Sequence, residues 1–165
     1  RLPWLLIGML GGIGNSMILG NFDSTFAAHP EMALYIPLIG GTGGNVGTQS
    51  SALVVQGLAN SSLDANNTWK QILKESVVAL INATIISMLV YIYNFIRFGA
   101  TATVSYSVSL SLFAVVMFAS IFGTLVPMTL EKMKIDPAIA TGPFISITND
   151  IIGMLLYMGI TVMLS

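Results

Sequence analysis

One acidic side chain, that of Asp150, lies inside an apolar run that is long enough to cross a lipid bilayer. It is the only charged residue between Pro137 and the end of the sequence. Placing a carboxylate at the centre of a membrane costs about 2.5–3.5 kcal/mol on insertion scales, so such residues usually mark an ion path or another functional site. Three features can compensate this cost: a water-filled cavity, a basic residue on a neighbouring helix, or a bound cation.

A glycine-rich run with amide and hydroxyl side chains lies in an earlier apolar stretch. Residues 37–49 contain five glycines together with Thr42, Asn45, Thr48 and Gln49. Glycine at this density favours an unwound or kinked helix, and backbone carbonyls freed within a membrane must be buried in protein or line a watery cavity. Close helix packing through small residues is the alternative interpretation. Because packing alone does not require Asn45 and Gln49, the run favours a cavity wall.

The composition is that of a membrane protein, since 55% of the 165 residues are hydrophobic and 8% are charged. An ordinary soluble domain carries roughly 25% charged residues. The charges cluster, and each apolar gap between clusters meets the requirement of about 20 residues for a spanning helix. The sequence therefore predicts an all-α, polytopic protein of the lipid bilayer, with one transmembrane domain over residues 1–165 and five spans. Their approximate bounds are 2–26, 32–59, 70–96, 103–130 and 137–164.

The second and fifth predicted spans carry their polar groups at overlapping depth. At about 1.5 Å per residue, Asn45 lies roughly 20 Å in from Met32, and Asp150 lies roughly 20 Å in from Pro137 at the opposite membrane face. Both therefore fall in the middle third of a core of about 30 Å. On the fifth span, small and polar residues repeat at helical spacing and form one stripe. This stripe consists of Gly142, Ser146, Asp150, Gly153 and Tyr157, with Asn149 beside it. A helical second span would present a similar stripe of Gly41, Asn45, Thr48, Ala52 and Gln56.

Lysine and arginine lie mainly on one side of the predicted membrane. With five spans, Arg97 alone falls on the opposite side from the other basic residues. The positive-inside rule then predicts a cytoplasmic N-terminus and an external C-terminus in the cell membrane. No basic residue lies at mid-depth, so a salt bridge within one chain is not expected to compensate Asp150. The net charge of −1 and the lack of a basic run argue against nucleic acid as a partner.

Glu75 is a second acid to be weighed, and it lies near the cytoplasmic start of the third span. It is a candidate secondary polar site. The alternative is an interfacial charge close to Lys74 or Lys70, because charged side chains near helix ends can reach the membrane surface.

The remaining compensation for Asp150 is water or a cation. One carboxylate with a few amide and carbonyl oxygens can hold a divalent ion through the ion's own water shell, which is typical of magnesium. One acid per chain also suggests a two-fold axis at which a second copy adds its own Asp150. The alternative is a proton- or sodium-coupled secondary transporter with Asp150 as the coupling carboxylate. No enzyme is predicted, because intramembrane proteases need a second deep acid or a deep histidine.

Three segments carry a resemblance to a known family. They are the run from Gly41 to Gln49 followed by Ser50 and Ser51, the Lys74-Glu75 pair, and Asp136-Pro-Ala with Asp150. Together they resemble the membrane domain of the MgtE family of magnesium channels and transporters, which is related to the animal solute carrier family 41. The resemblance extends over essentially the whole chain.

This resemblance implies five transmembrane helices per subunit and a homodimer with a channel-like pore at the dimer axis. Asp150 of both subunits would hold hydrated Mg²⁺, and Mn²⁺ and other divalent cations are further candidates. Family members usually also carry a cytoplasmic N-domain and a CBS module, which these residues do not include. Gly142 stands where the family commonly has Asn. The expected pore-lining residues are Gly41, Asn45, Thr48, Gly142, Ser146, Asn149 and Gly153.

Overall fold

The computed structural model describes residues 2–21, 35–59, 68–98, 103–134 and 143–164. These residues form five long helices and confirm the predicted all-α fold. The helices are α1 (Leu2–Gly20), α2 (Ile36–Ala59), α3 (Thr68–Phe98), α4 (Thr103–Lys132) and α5 (Pro143–Leu164). Pro143 suits the first position of α5, because proline lacks the N–H that a helix start leaves unpaired and its φ angle is already helical. The predicted span ends at residues 22–26 and 137–142 lie outside the described residues.

Three of these helices are long and apolar enough to cross a membrane, and they identify a multi-pass membrane protein. They are the segments Trp69–Arg97 of α3, Ser105–Lys132 of α4 and Phe144–Leu164 of α5. Helix α1 contributes a shorter apolar segment, Leu5–Gly20. Helix α2 is not among these three helices, because its first 14 residues include five glycines, two threonines, Asn45 and Gln49. The crossing of the membrane by α1 and α2 stays a prediction.

Helix α4 lies at the centre of the bundle and packs against α2, α3 and α5, while α1 packs against α5. In its most apolar window α4 is 50% buried, against 17% for α3, so α3 lies at the periphery. The buried core includes Ile39 of α2, Leu112 of α4 and Tyr157 of α5. Because lipid tails are as apolar as these side chains, close packing rather than the hydrophobic effect holds such helices together.

Helix α2 is continuous through its glycine-rich run, so the expectation of an unwound segment is wrong. Close packing against α4 explains why the glycine-rich run of α2 is helical although glycine has a low helix propensity. A Cβ atom at Gly43 would lie 2.7 Å from Val115 Cγ1 of α4, and one at Gly123 of α4 would lie 2.6 Å from the carbonyl oxygen of Gly47. The missing side chains therefore allow α2 and α4 to approach until their backbones touch, and α2 gains contacts that offset its low helix propensity.

Two side-chain hydrogen bonds connect the region of α2 to α3. The hydroxyl of Tyr35, immediately before α2, donates to Asn94 Oδ1, and the hydroxyl of Ser50 donates to Glu75 Oε1 at 3.0 Å. The first bond lies at the start of α2 and reaches the last turns of α3, and the second lies just past the middle of α2 and reaches the first turns of α3. Helix α2 is thus packed against α4 and connected to α3 by these two hydrogen bonds.

Candidate functional site

A groove of about 660 Å³ runs along the face where α1, α2 and α5 meet. Most of its wall comes from α2, whose residues at helical spacing present small and polar side chains to it. Helix α5 contributes an acid and a hydroxyl, and α1 contributes an amide. The lining residues are Asn15, Ile36, Pro37, Gly40, Gly41, Gly44, Asn45, Thr48, Gln49, Ala52, Ser146, Asp150 and Met154.

Asp150 lies in this groove beside the backbone of α2. Its side chain is half-buried, and a Cβ atom at Gly40 would lie 3.5 Å from Asp150 Oδ1. One turn along each helix, a Cβ atom at Gly44 would lie 3.8 Å from Ser146 Oγ. A step of four residues forward on α2 therefore matches a step of four backward on α5, which is an antiparallel register. The two glycines leave space next to the carboxylate that a larger side chain would fill.

The groove brings together five of the residues that the sequence predicted for a pore. They are Gly41, Asn45 and Thr48 of α2, with Ser146 and Asp150 of α5. Their common position confirms neither a pore nor an ion contact, and those roles stay predictions. These five residues place one carboxylate, one amide and two hydroxyl groups on a single surface. No lysine or arginine is among the described residues that line this surface.

Three residues of the predicted set are not placed at this groove. Gly142 lies outside the described residues. Gly153 faces the interior, where a Cβ atom would lie 3.7 Å from Val115 Cγ2. Asn149 is 1% exposed and packs against Gly47 rather than lining the groove. Residues one position apart on a helix point in directions that differ by about 100°, so Asn149 and Asp150 lie on different sides of α5.

Asn15 and Gln49 are groove residues that the predicted pore lining omitted. Gln49 follows Asn45 by one turn on α2. Asn15 is the amide residue of a largely apolar first helix, and its Oδ1 atom is buried without a partner among the described atoms. The position of Asn15 in the groove could have been predicted from its place inside an apolar span, because polar residues in such spans usually face the bundle interior or a cavity.

Glu75, the candidate secondary polar site, accepts the hydrogen bond of Ser50 and is not among the described residues that line the groove. It is partly buried, whereas Lys70 and Lys74 are exposed. The structure therefore places Glu75 at the contact between α3 and α2. Its role in ion transport stays a prediction.

The groove offers oxygen atoms, which are the ligands of hard cations such as Mg²⁺. Within the described ranges, no group of three or more His, Cys, Asp or Glu residues is placed to hold a metal ion. A single chain thus provides one carboxylate with surrounding amide and hydroxyl groups. This donor set suits an ion that keeps most of its water shell, since each of these groups can contact a bound water.

Comparison with known proteins adds independent information. The profile of the MgtE family, described as a divalent cation transporter, matches residues 36–160. Relatives named Magnesium transporter MgtE from Bacillus subtilis and Thermus thermophilus are 34% and 32% identical over 160 residues, which is 97% of this chain and 35% of each relative. The protein of that name from Enterococcus faecalis is 30% identical over 163 residues, which is 99% of this chain and 36% of that relative. The chain thus spans little more than a third of the length of these curated relatives.

Proposed function

Because the chain belongs to the MgtE family of divalent cation transporters, we propose that it carries magnesium across the membrane along the groove between α2 and α5. One observation carries this proposal above the others. Asp150 lies in a groove whose remaining described lining includes Gly40, Gly44, Asn45 and Ser146 and contains no basic residue. An unpaired carboxylate within an apolar helix attracts a cation, and narrow neighbours leave room for that cation's water.

The proposed mechanism is channel-like and water-mediated. The carboxylate of Asp150 accepts hydrogen bonds from the waters of hydrated Mg²⁺, and the side-chain oxygens of Asn45 and Ser146 accept further ones. Magnesium releases its waters reluctantly, so this mode of holding requires no complete cage of protein ligands. It also binds the ion weakly enough for the ion to leave, which conduction requires. Mn²⁺ and other divalent cations with similar shells are competing substrates in this proposal.

We also propose that the protein works as a homodimer with the groove at the two-fold axis. The groove lies on α1, α2 and α5 and is open on one side, whereas α3 covers the far side of α4. A second copy placed across the opening would enclose the path and would bring a second Asp150 toward the same ion. Closed two-fold symmetry is the commonest arrangement of homo-oligomers.

The experiment measures Mg²⁺ uptake by the full-length protein in liposomes. We expect Asp150→Ala to reduce uptake to the level of empty liposomes, and Asp150→Asn to reduce it strongly because the amide keeps the size but loses the charge. Glu131→Ala is the matched control, since Glu131 is an exposed acid at the end of α4. An Asp150→Ala protein that transports Mg²⁺ like the wild type would disprove the proposal. Uptake that follows a proton or sodium gradient and ignores divalent ions would instead support the coupled-transporter alternative.

A further inference from the structure

Asn149, the residue before Asp150, is a buried amide. Its side chain is 1% exposed, and neither Oδ1 nor Nδ2 has a partner among the described atoms. Leaving a buried polar group unpaired is destabilising, because the group has lost its hydrogen bonds to water. The contacts of Asn149 indicate what offsets this cost.

The amide of Asn149 fills a notch at Gly47 of α2. A Cβ atom at Gly47 would collide with Asn149 Nδ2 and would also lie 3.0 Å from Ile145 Cγ2 of α5. From another side, the carbonyl oxygen of the same Gly47 would lie 2.6 Å from a Cβ atom at Gly123 of α4. Helix α2 is therefore held at Gly47 between α5 and α4. Helix α5 leaves no space for a methyl group at Gly47, and α2 leaves none for a methyl group at Gly123 of α4.

This notch controls the rotation of α5 about its own axis. Successive side chains on a helix differ in direction by about 100°. While Asn149 sits at Gly47, Asp150 is directed to the groove, where its Oδ1 atom lies beside Gly40. Turning α5 by one residue would bring the amide to the groove and move the carboxylate away from it. The contact between Asn149 and Gly47 thus selects which polar residue of the pair faces the groove.

We propose that Asn149 is a positioning residue. Its fit into the Gly47 notch sets the direction of the Asp150 carboxylate and, through that carboxylate, the affinity and selectivity for the ion. The second part rests on the function proposed above, whereas the first concerns geometry alone. Asn149 acts by its shape and does not contact the ion.

A cysteine reporter tests the geometric part without any transported ion. The chain contains no cysteine, so the reactivity of Asp150→Cys toward a water-soluble thiol reagent reports how position 150 faces the groove. The reaction rate is measured in four proteins: Asp150→Cys alone, and Asp150→Cys combined with Gly47→Ala, with Asn149→Ala, or with both changes. We expect each single change to alter the rate by about tenfold and the double change to restore it, because the added methyl group occupies the space of the removed amide. The matched reporter is Ala52→Cys, which lies in the same groove on α2 and should keep its rate.

The transport part uses the same Gly47 and Asn149 changes with Asp150 intact. At equal amounts of folded dimer, we expect each single variant to raise the half-saturating Mg²⁺ concentration and to lower the ratio of Mg²⁺ to Ca²⁺ uptake. The double variant should recover both quantities toward the wild-type values. A reporter rate unaffected by Gly47→Ala, or a double variant no better than its worse parent, would overturn the inference.

Two further outcomes remain informative. If Gly47→Ala alone yields no folded protein, recovery of folded protein in the double variant supports the pairing, and continued loss contradicts it. If the reporter rates behave as expected while Asp150→Ala still transports Mg²⁺, the positioning role stands and the proposed function fails. The two proposals are thus tested separately.

Discussion

Two buried hydroxyl groups of this protein, those of Ser50 and Ser111, differ in their hydrogen-bond partners. Ser50 is buried and donates to the carboxylate of Glu75, so its hydroxyl connects α2 to α3. Ser111 of α4 is completely buried, and its Oγ atom has no partner among the described atoms. A hydrogen bond to a charged group contributes more than one between neutral groups, whereas an unpaired buried hydroxyl is a cost.

We therefore expect Ser50→Ala to lower the unfolding free energy in detergent by about 1–2 kcal/mol, because it removes the bond and leaves the Glu75 carboxylate without that donor. Ser111→Ala is the matched control and should be neutral or stabilising, since it removes a hydroxyl that has lost its contact with water. Thermal unfolding of both variants measures the difference. Equal effects at the two positions would contradict this account of the Ser50–Glu75 bond.

Asp150 and Asn149 show what sequence reasoning achieves at the residue scale. The acid was identifiable from sequence because its cost in an apolar span does not depend on neighbouring helices. The placement of Asn149 in the interior was not, because adjacent positions on one helix differ only by rotation, and the Gly47 notch selects that rotation.

At the scale of elements, the glycines of α2 act chiefly through packing. The sequence predicted a weakened helix, yet α2 is continuous from Ile36 to Ala59. Glycine lowers helix propensity by about 1 kcal/mol per residue relative to alanine, but it also lets neighbouring backbones approach. Helices α2 and α4 approach each other closely at Gly47 and Gly123. The sequence of α2 alone could not show whether the lower helix propensity or the closer packing has the larger effect, because the packing depends on the neighbouring helix α4.

We predict that Gly123→Ala destabilises the protein by about 1–3 kcal/mol, because its methyl group would meet the backbone of α2 and must push the two helices apart. The separation should also reduce Mg²⁺ uptake, since α2 forms most of the groove wall. Gly159→Ala is the control on α5, where an added Cβ atom meets no atom within 4 Å. It should be neutral or stabilising by a few tenths of a kcal/mol through helix propensity. Thermal unfolding and Mg²⁺ uptake are measured for both variants. If Gly123→Ala changes neither stability nor uptake, the contact between Gly123 and Gly47 is looser than described.

The whole molecule has two unlike sides. The groove with Asp150 lies on α1, α2 and α5, whereas α3 is mostly exposed and apolar on the opposite side of α4. Polar groups in a bilayer need water or protein around them, and an apolar helix face suits lipid. This asymmetry supports the proposed dimer through the groove, with α3 toward the lipid.

We expect Ala52→Cys, in the groove on α2, to form cross-linked dimers with a short bifunctional thiol reagent in membranes. Val77→Cys, exposed on α3, is the control and should not form them. Gel electrophoresis under non-reducing conditions measures the products. Efficient cross-linking through Val77→Cys alone would place the dimer contact on the other side of the molecule and contradict the proposed axis.

The orientation in the membrane is a second property of the whole molecule. The distribution of Lys and Arg predicts that the end of α3 is external and the end of α4 cytoplasmic. An impermeant thiol reagent should therefore label Ile96→Cys in intact cells, and it should label Met133→Cys only after permeabilisation. Both positions are exposed, so access through the membrane decides the result. The reverse pattern would invert the proposed topology.

The sequence by itself determined the helical membrane character, the groove acid and the polar run of α2, because hydropathy, helical period and the cost of a charge in lipid are properties of each segment alone. The tertiary structure decided which face of α5 meets the groove, which acid is bonded to Ser50, and that Asn15 joins the same wall. These outcomes depend on the rotation and register of helices against one another. Rotation and register are set by contacts between distant residues, such as the contact of Asn149 with Gly47.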